Sequence, residues 1–239
     1  MISKKIITVG DFEIQITKRS GQKNLYIRVC PPNGDIFVSV PAKTSDKIIK
    51  NFVLRKIPEI TKAQARLQRQ FRQTKRNYVS GETCYYWGEP HMLQVIYNGK
   101  QNKIEKLPNK IIMTVPEGTS LEKRKKLLTE WYRKELKRIL PILLEQCERI
   151  VDVKANSCNV RNMKTRWGSC NILKKSILIN LQLVKKPVEC LKYVIIHELV
   201  HLLEKKHSNR FRSLLDKYYP SWKEAKQILA DMPLDYWEK

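Results

Sequence analysis

The chain has 239 residues, enough for one large domain or two small ones with a sizeable core. Hydrophobic residues make up 42% of it, with only 8 glycines and 11 prolines, which is typical of a globular protein and excludes a low-complexity or collagen-like chain. The net charge of +24 is extreme for this length and favours polyanionic partners, either nucleic acid or acidic proteins. No internal repeat is evident in the sequence.

The location of the protein is predicted from what the sequence lacks. No run of about 18 apolar residues occurs, so we expect no membrane-spanning helix. The apolar stretch at residues 6–9 is too short for a secretion signal. The six cysteines form no C-x-x-C pair, so we expect reduced thiols rather than a cysteine zinc ribbon. We therefore expect a cytoplasmic protein.

The first forty residues are predicted to form strands, because apolar and polar residues alternate. These strands cover residues 12–17, 25–29 and 36–40, with a hairpin turn at 31–35. A helix capped by Thr44 or Ser45 then extends to about residue 76, and Pro58 is expected to kink or break it.

A basic stripe marks the second half of that helix. Its residues recur at three- and four-residue spacing, and no acidic residue lies between 62 and 76. The members are Lys62, Arg66, Arg69, Arg72 and Arg76. Such a stripe can lie along a phosphate backbone, whereas an ordinary solvated face usually mixes charges. The sequence leaves both interpretations open: a surface for nucleic acid or another acidic partner, or a solvated helix face.

The remaining elements alternate between strands and helices. Further strands are predicted at 85–87, 92–97, 111–115, 157–163, 165–169 and 176–183. Helices are predicted from Ser120 to about 149, from Pro187 onward, after Ser208 and after Ser221. His91 follows a proline in a predicted turn and is expected to be structural or exposed rather than a ligand. Together these elements predict an α+β protein, with a β-rich region at 1–118 and a second domain at 119–239.

The most informative motif is H-E-x-x-H, formed by His197, Glu198 and His201 in a predicted helix. At 100° per residue the two imidazoles lie within about 40° of each other on one face, close enough to share one ion. The pattern predicts a zinc site in which the glutamate is the general base of a hydrolase. His207 supports this, because three of the four histidines fall within eleven residues.

The same helix is predicted to be buried, because its apolar residues cover nearly the whole circumference. Buried imidazoles and a buried carboxylate are costly unless they are paired or bound to a metal ion. One cation would account for all of them. The alternative is two hydrogen-bonded core histidines and an ion-paired Glu198.

Several motifs together resemble a known family. They are Arg-Trp-Gly-Ser-Cys at 166–170, Ile-Leu-Ile-Asn at 177–180, Pro187, the H-E-x-x-H helix, His207-Ser208 and Phe211. In this combination the chain closely resembles the YgjP-like family of small bacterial metallopeptidases over nearly its whole length. That family in turn looks like the WLM and SprT-like proteases, some of which act on proteins crosslinked to DNA.

The resemblance implies a compact zincin-like unit, in which a small antiparallel sheet packs on the H-E-x-x-H helix. Carried over by position, His197, His201 and His207 bind one catalytic Zn²⁺ and Glu198 is the base. Glu224 and Glu204 remain alternatives for the third ligand. A bend must follow the helix, because position 207 of a straight helix would lie about 240° from position 201.

Three protein ligands leave an open position on zinc, as catalysis requires. Arg166 is the first candidate for an oxyanion donor and Tyr218 or Tyr219 the next, although Arg166 could instead pack under the helix. Asn180 either supports the site or caps a plain strand-end turn. The strand at 176–183 would offer its edge to an extended peptide.

The sequence thus predicts a zinc metallopeptidase that acts on protein or peptide substrates. The alternatives are a nucleic-acid-binding protein with a structural or degenerate zinc site, or a protease tethered to DNA that acts on DNA-bound proteins. The intact Glu198 and the three-ligand count favour an enzyme, since a structural zinc site normally has a fourth cysteine or histidine.

Overall fold

A computed structural model describes residues 2–30, 34–69, 76–98, 100–163 and 166–232. Its contacts divide the chain into two compact units, Met1–Arg72 and Gln73–Glu238. The fold is of the predicted α+β class, with small sheets and helices along the whole chain. Among the described residues, none of the helices combines the length and the hydrophobicity that a membrane span requires.

The first unit is a four-stranded sheet covered by one helix. Its elements are β1 (Ile2–Val9), β2 (Phe12–Arg19), β3 (Tyr26–Cys30), β4 (Asp35–Pro41) and α1 (Asp46–Arg69). The strand order is β1-β2-β4-β3, with a parallel central pair and antiparallel outer pairs. Alternate residues such as Ile14 and Val38 form its core with Ile49 and Val53 of α1, as the predicted alternation implies. The helix continues through Pro58 without a break.

The basic stripe is not a single helical feature. The α1 helix ends at Arg69, and Arg76 lies outside it, where its guanidinium donates to the Thr83 carbonyl and contacts the Cys84 Sγ atom at 3.3 Å. The inclusion of Arg76 in the stripe was therefore wrong, because its side chain is used to hold the following strand. Arg72 and the side chains of Arg66 and Arg69 lie outside the described residues.

The second unit begins with a sheet of the same design. Its first elements are β5 (Thr83–Tyr86), β6 (Glu89–Ile96), β7 (Lys103–Lys106), β8 (Lys110–Thr114) and α2 (Leu121–Val151). The order β5-β6-β8-β7 again has a parallel central pair flanked by antiparallel pairs, and a long helix again follows. The segment that enters each helix reads V-P-x-x-T-S, at 40–45 and at 115–120. The chain therefore contains a repeated ββββα module, and the expectation of no internal repeat was wrong.

The repeat also explains why the predicted domain boundary differs from the one in the structure. The predicted division at 118/119 lies inside the second unit and separates the second sheet from its own helix. Met113 of β8 belongs to the same hydrophobic core as Leu128 and Leu136 of α2, so the sheet and the helix bury a common apolar surface. The contacts instead divide the chain between the first module and everything that follows it.

The rest of the second unit surrounds the histidine helix. It comprises β9 (Ser157–Arg161), β10 (Gly168–Asn171), β11 (Ser176–Asn180), a short 3-10 helix (Leu181–Lys185), α3 (Val188–Val200), α4 (Asn209–Tyr218) and α5 (Trp222–Asp231). The three strands form a sheet in the order β10-β11-β9. The sheet is mixed rather than antiparallel as predicted, since β11 pairs antiparallel with β10 but parallel with β9.

A hairpin of the second module supports the start of α3. The β5–β6 hairpin turns at Trp87 and Gly88, directly after the pair Tyr86–Glu89. At this tip, the Trp87 N–H donates to the Val184 carbonyl at 2.8 Å, and Gly88 packs against Pro187. The tip of the hairpin therefore connects the repeated module to the helix that carries the histidines.

Gly88→Ala is expected to destabilise the protein more than Gly81→Ala. Both glycines have positive φ angles, of +91° and +93°, but only at position 88 would a Cβ atom meet a neighbour, the Pro187 Cγ atom, at 2.8 Å. The backbone strain should cost about 1 kcal/mol at either site. Overpacking should add about 1–3 kcal/mol at position 88 alone. Thermal unfolding of both variants checks this, and equal melting temperatures would refute the proposed contact.

Candidate metal centre

Helix α3 forms because a long apolar segment follows Pro187, which precedes the first helical residue. Residues on all of its faces are buried, and they include Ile195, Ile196, Leu199 and Val200. The predicted burial of this helix is therefore confirmed. Of the H-E-x-x-H motif, Glu198 is buried in this helix, His197 is partly buried in it, and His201 directly follows it. A polar group buried in such surroundings requires a partner.

Three imidazoles converge at the C-terminal end of α3. The ligand atoms of His197, His201 and His207 all lie within 4.8 Å of one another. The two Nε2 atoms of His197 and His207 are 3.1 Å apart. Nitrogens bound to one tetrahedral zinc ion at about 2.0–2.1 Å would be separated by roughly 3.3 Å. The described cluster therefore has the size and the donor chemistry for one such ion.

A tight turn returns the chain to the cluster. Helix α3 ends at Val200, and the Glu204 N–H donates back to the Val200 carbonyl at 2.9 Å, which curls the chain after the helix. The Glu204 carbonyl lies 3.2 Å from Nδ1 of His201, so the Nε2 atom of that ring is free to face the other two. The bend required by the His201–His207 spacing is thus present, with His207 directly before α4.

The alternative third ligands are not part of the cluster. Among the described residues, the three histidines are the one group with metal-ligating spacing, and it includes neither Glu204 nor Glu224. A carboxylate oxygen of Glu204 accepts from the Lys206 N–H at 3.2 Å, so this side chain supports the turn. Glu224 is an exposed residue in the first turn of α5.

Phe211 packs against all three imidazoles. Its ring centroid lies 4.9, 4.7 and 4.8 Å from those of His197, His201 and His207, and the residue is 2% exposed. The Ser208 hydroxyl accepts from the Phe211 N–H and begins α4, which fixes the position of the ring. From the sequence, no role in the site was predicted for Phe211. Its position four residues after His207 is the feature of the sequence that could have indicated one.

The environment keeps His197 neutral. Burial lowers the pKa of its imidazole to about 3, and the nearby charges of His201, His207 and Lys226 act in the same direction. Burial also lowers the pKa of His201. Neutral imidazole is the form that binds a metal ion, so the protein environment favours the state that coordination requires.

Glu198 is 5% exposed and lies on the same helix as two of the histidines. Burial raises the pKa of its carboxyl to about 7, an effect that the positive charge of Arg166 partly offsets. A cation bound by the adjacent imidazoles would lower this pKa further. Burial thus brings the pKa of this carboxyl close to neutrality, and a cation at the three imidazoles would favour its carboxylate form.

Gly168 of β10 makes room for Glu198. A Cβ atom at this position would lie 2.6 Å from the Oε1 atom of Glu198 and 2.8 Å from its Cγ atom, so any side chain would collide with the carboxylate. The glycine belongs to the Arg-Trp-Gly-Ser-Cys segment, in which the sequence suggested a catalytic role for Arg166 but none for Gly168. The structure therefore brings the backbone of this segment against Glu198.

The candidate oxyanion donors occupy different places. Arg166 is exposed, and its charge acts on Glu198. Tyr219 points elsewhere, because its hydroxyl donates to the Glu189 carbonyl near the start of α3, at 3.4 Å. Tyr218 is partly buried against the core and lies beneath the Lys217 ammonium.

His91 and Trp222 each pack against an aromatic side chain. His91 is in β6 rather than in a turn, and it is 3% exposed with its ring edge towards Tyr86. Trp222 is partly buried and stacks on Tyr193, whose ring in turn contacts His197. The structural interpretation of His91 agrees with its burial and its place in the sheet.

Comparison with known proteins assigns the chain to the metallopeptidases. Residues 23–232 match the family described as YgjP-like, metallopeptidase domain. The chain therefore belongs to the YgjP-like family, as its motifs predicted.

Two solved structures are also similar. The metallopeptidase zymogen of Pyrococcus abyssi abylysin shares 25% sequence identity, with a TM-score of 0.33 over 37% of this chain and 86% of that one. The zymogen of Methanocaldococcus jannaschii jannalysin shares 21%, with a TM-score of 0.34 over 37% and 91%. Family membership rests on the sequence match rather than on these low TM-scores. No curated protein matches the chain.

Proposed function

We propose that this protein is a zinc-dependent peptidase that hydrolyses peptide bonds in protein or peptide substrates. His197, His201 and His207 are the proposed zinc ligands, and Glu198 is the proposed general base. The observation that carries this proposal is the convergence of three imidazoles within 4.8 Å beside a buried carboxylate on the same helix. Membership of a metallopeptidase family supports the same chemistry.

The donor set suits zinc and leaves a coordination position open. Three neutral nitrogen ligands are typical of catalytic rather than structural zinc sites. When bound, the ion would polarise the scissile carbonyl and lower the pKa of a water molecule. The ring of Phe211 packs against all three imidazoles and would hold their orientation when an ion is bound.

Glu198 moves the proton in this proposal. Its carboxylate accepts a proton from the attacking water and then delivers it to the leaving amine. Burial supports this role, because it brings the pKa of the carboxyl close to neutrality. Arg166, whose positive charge acts on Glu198, is the proposed donor to the oxyanion that forms on the scissile carbonyl.

An extended substrate would pair with β10. The predicted strand at 176–183 ends at Asn180 as β11, and it lies between β10 and β9, so neither of its edges is free. Strand β10 lies at one edge of the described sheet, and its first residue, Gly168, adjoins Glu198. Its unpaired backbone groups are therefore the better placed to bind a peptide.

The decisive experiment combines metal analysis with a digestion assay. Purified protein should contain about one zinc ion per chain by elemental analysis, as a three-histidine site predicts. It should also digest casein. A chelator should abolish digestion and added zinc should restore it. Protein that digests casein equally well in excess chelator would contradict the proposal.

The tethering of the peptidase to DNA is a second candidate function, favoured by the charge of the first unit. Residues 1–72 contain 15 lysines and arginines but only 5 aspartates and glutamates. Four exposed basic residues lie along one face of α1: Lys47, Lys50, Arg55 and Lys62. A helix face of this charge can follow a phosphate backbone.

DNA affinity is expected to fall steeply with salt and to depend on this face. Replacing Lys47, Lys50, Arg55 and Lys62 by glutamine should reduce the slope of log affinity against log salt by about 3–4. A matched control removes four exposed charges from α2, at Lys123, Lys126, Lys134 and Lys137. Fluorescence anisotropy with a labelled duplex measures both slopes. Equal losses in the two variants, or no binding at low salt, would contradict a tether on α1.

A further inference from the structure

Asn180, at the end of β11, is 3% exposed and its side chain makes four hydrogen bonds. Its Nδ2 atom donates to the carbonyls of Met163 at 2.9 Å and Arg166 at 2.7 Å. Its Oδ1 atom accepts from the N–H groups of Met163 at 3.2 Å and Gln182 at 3.1 Å. Its own N–H donates to the Trp167 carbonyl at 2.9 Å. This one residue therefore fixes both ends of the segment from 163 to 167.

That segment leads directly to the proposed general base. It joins β9 to β10, and the next residue, Gly168, is the one whose bare backbone adjoins Glu198. The segment also carries Arg166, whose charge acts on Glu198. Glycine has no side chain with which to hold its own position, and the Arg166 side chain is exposed. Gly168 is placed by its pairing with Ile179, and the backbone that leads to it, including that of Arg166, is held by Asn180.

We infer that Asn180 is a positioning residue of the proposed peptidase: it holds Met163 and residues 166–168 so that the Gly168 backbone lies against Glu198, with Arg166 two residues before it. This inference rests on the proposed function. It differs from a plain strand-end turn, which would need only the bond from the Gln182 N–H to Oδ1. The two donated bonds of Nδ2 lead instead to the segment beside Glu198.

The test uses the isosteric variant Asn180→Asp. It retains the acceptor that faces two N–H groups, but it removes both donated bonds and places a carboxylate against two carbonyls. We expect kcat to fall about 10- to 100-fold with little change in KM, because loss of groups that orient catalytic residues affects the transition state more than substrate binding. Asn180→Ser is the second variant if the aspartate prevents folding.

Asn171→Asp is the matched control. Asn171 lies at the other end of the β10–β11 hairpin, where its Oδ1 atom accepts from the Lys174 N–H at 3.0 Å. The same chemical change there leaves the contacts of Met163 and of residues 166–168 unchanged, so the control should retain the wild-type kcat. An equal loss of kcat in both variants would show that Asn180 only stabilises the hairpin, and would overturn the inference.

A double-mutant cycle tests the route of the effect. If Asn180 acts through Arg166, then Asn180→Asp should cost much less kcat in an Arg166→Ala background than in the wild type. Fully multiplicative losses would overturn the action through Arg166. Hydrogen exchange supplies a readout that does not depend on turnover. Exchange at 163 and 166–168 should accelerate in Asn180→Asp, whereas exchange in α3 and zinc affinity should stay unchanged.

The outcomes separate this inference from the proposed function. If the zinc-loaded wild type cleaves no peptide, the proposed peptidase function fails and the positioning role fails with it. If the wild type cleaves but Asn180→Asp cleaves at the same rate, the positioning role alone fails. Unchanged hydrogen exchange at 163 and 166–168 in Asn180→Asp would likewise overturn the inference, whatever its activity.

Discussion

Replacing Glu198 by glutamine is expected to abolish peptide hydrolysis while zinc binding persists. Glutamine has nearly the same shape, so the buried space beside Gly168 stays filled, but its amide cannot accept the proton of the attacking water. Loss of a general base typically reduces turnover by 10²- to 10⁴-fold, and we expect a reduction of about this size. Digestion assays on zinc-loaded protein, with elemental analysis of the same samples, measure both properties.

The same substitution at Glu224 is the control. That residue is exposed in α5 and does not belong to the histidine cluster, so Glu224→Gln should retain wild-type turnover. Retention of full turnover by Glu198→Gln would show that another group takes the proton. Loss of zinc from Glu198→Gln would show instead that the carboxylate is a ligand.

Removal of the His207 imidazole is expected to have the next largest effect. His207→Ala leaves only two of the proposed ligands, His197 of α3 and His201 directly after it. A site with one ligand fewer should lose zinc affinity by roughly a hundredfold or more. Phe211 and the helix that follows should remain in place, because Ser208 caps α4 independently of the imidazole. Competition with a chromophoric chelator measures the affinity.

Glu204→Gln and Glu224→Gln distinguish the alternative ligands. Neither carboxylate belongs to the cluster of potential ligand atoms, so both variants should bind zinc as the wild type does. If Glu224→Gln weakened zinc binding as strongly as His207→Ala, the third ligand would be the glutamate of α5. The assignment of His207 would then be wrong.

Local patterns account for the predictions that agree with the structure. Alternation of apolar residues located strands such as β2 and β4, because each buries one face against α1. The run of apolar residues around α3 predicted its burial for the same reason. The spacing of His197 and His201 needs only helical geometry to bring both rings to one face.

Contacts between distant segments account for the differences between the predictions and the structure. The repeated module is defined by strand order and pairing, and the two copies share a short V-P-x-x-T-S segment and little else that the sequence shows clearly. Sequence reasoning therefore divided the second copy between its sheet and its helix. The free edge of β10 also could not be predicted from the sequence, because it depends on the parallel pairing of β9 with β11.

By itself, the sequence determined the α+β class, the buried helix and the family, and it pointed to three histidines and one glutamate. These follow from residue type and spacing along a single element or motif. Only the tertiary structure decided why a glycine stands at 168, what Asn180 holds and which strand has a free edge. Each of these depends on a close approach between segments distant in the sequence, and spacing along the chain does not specify such contacts.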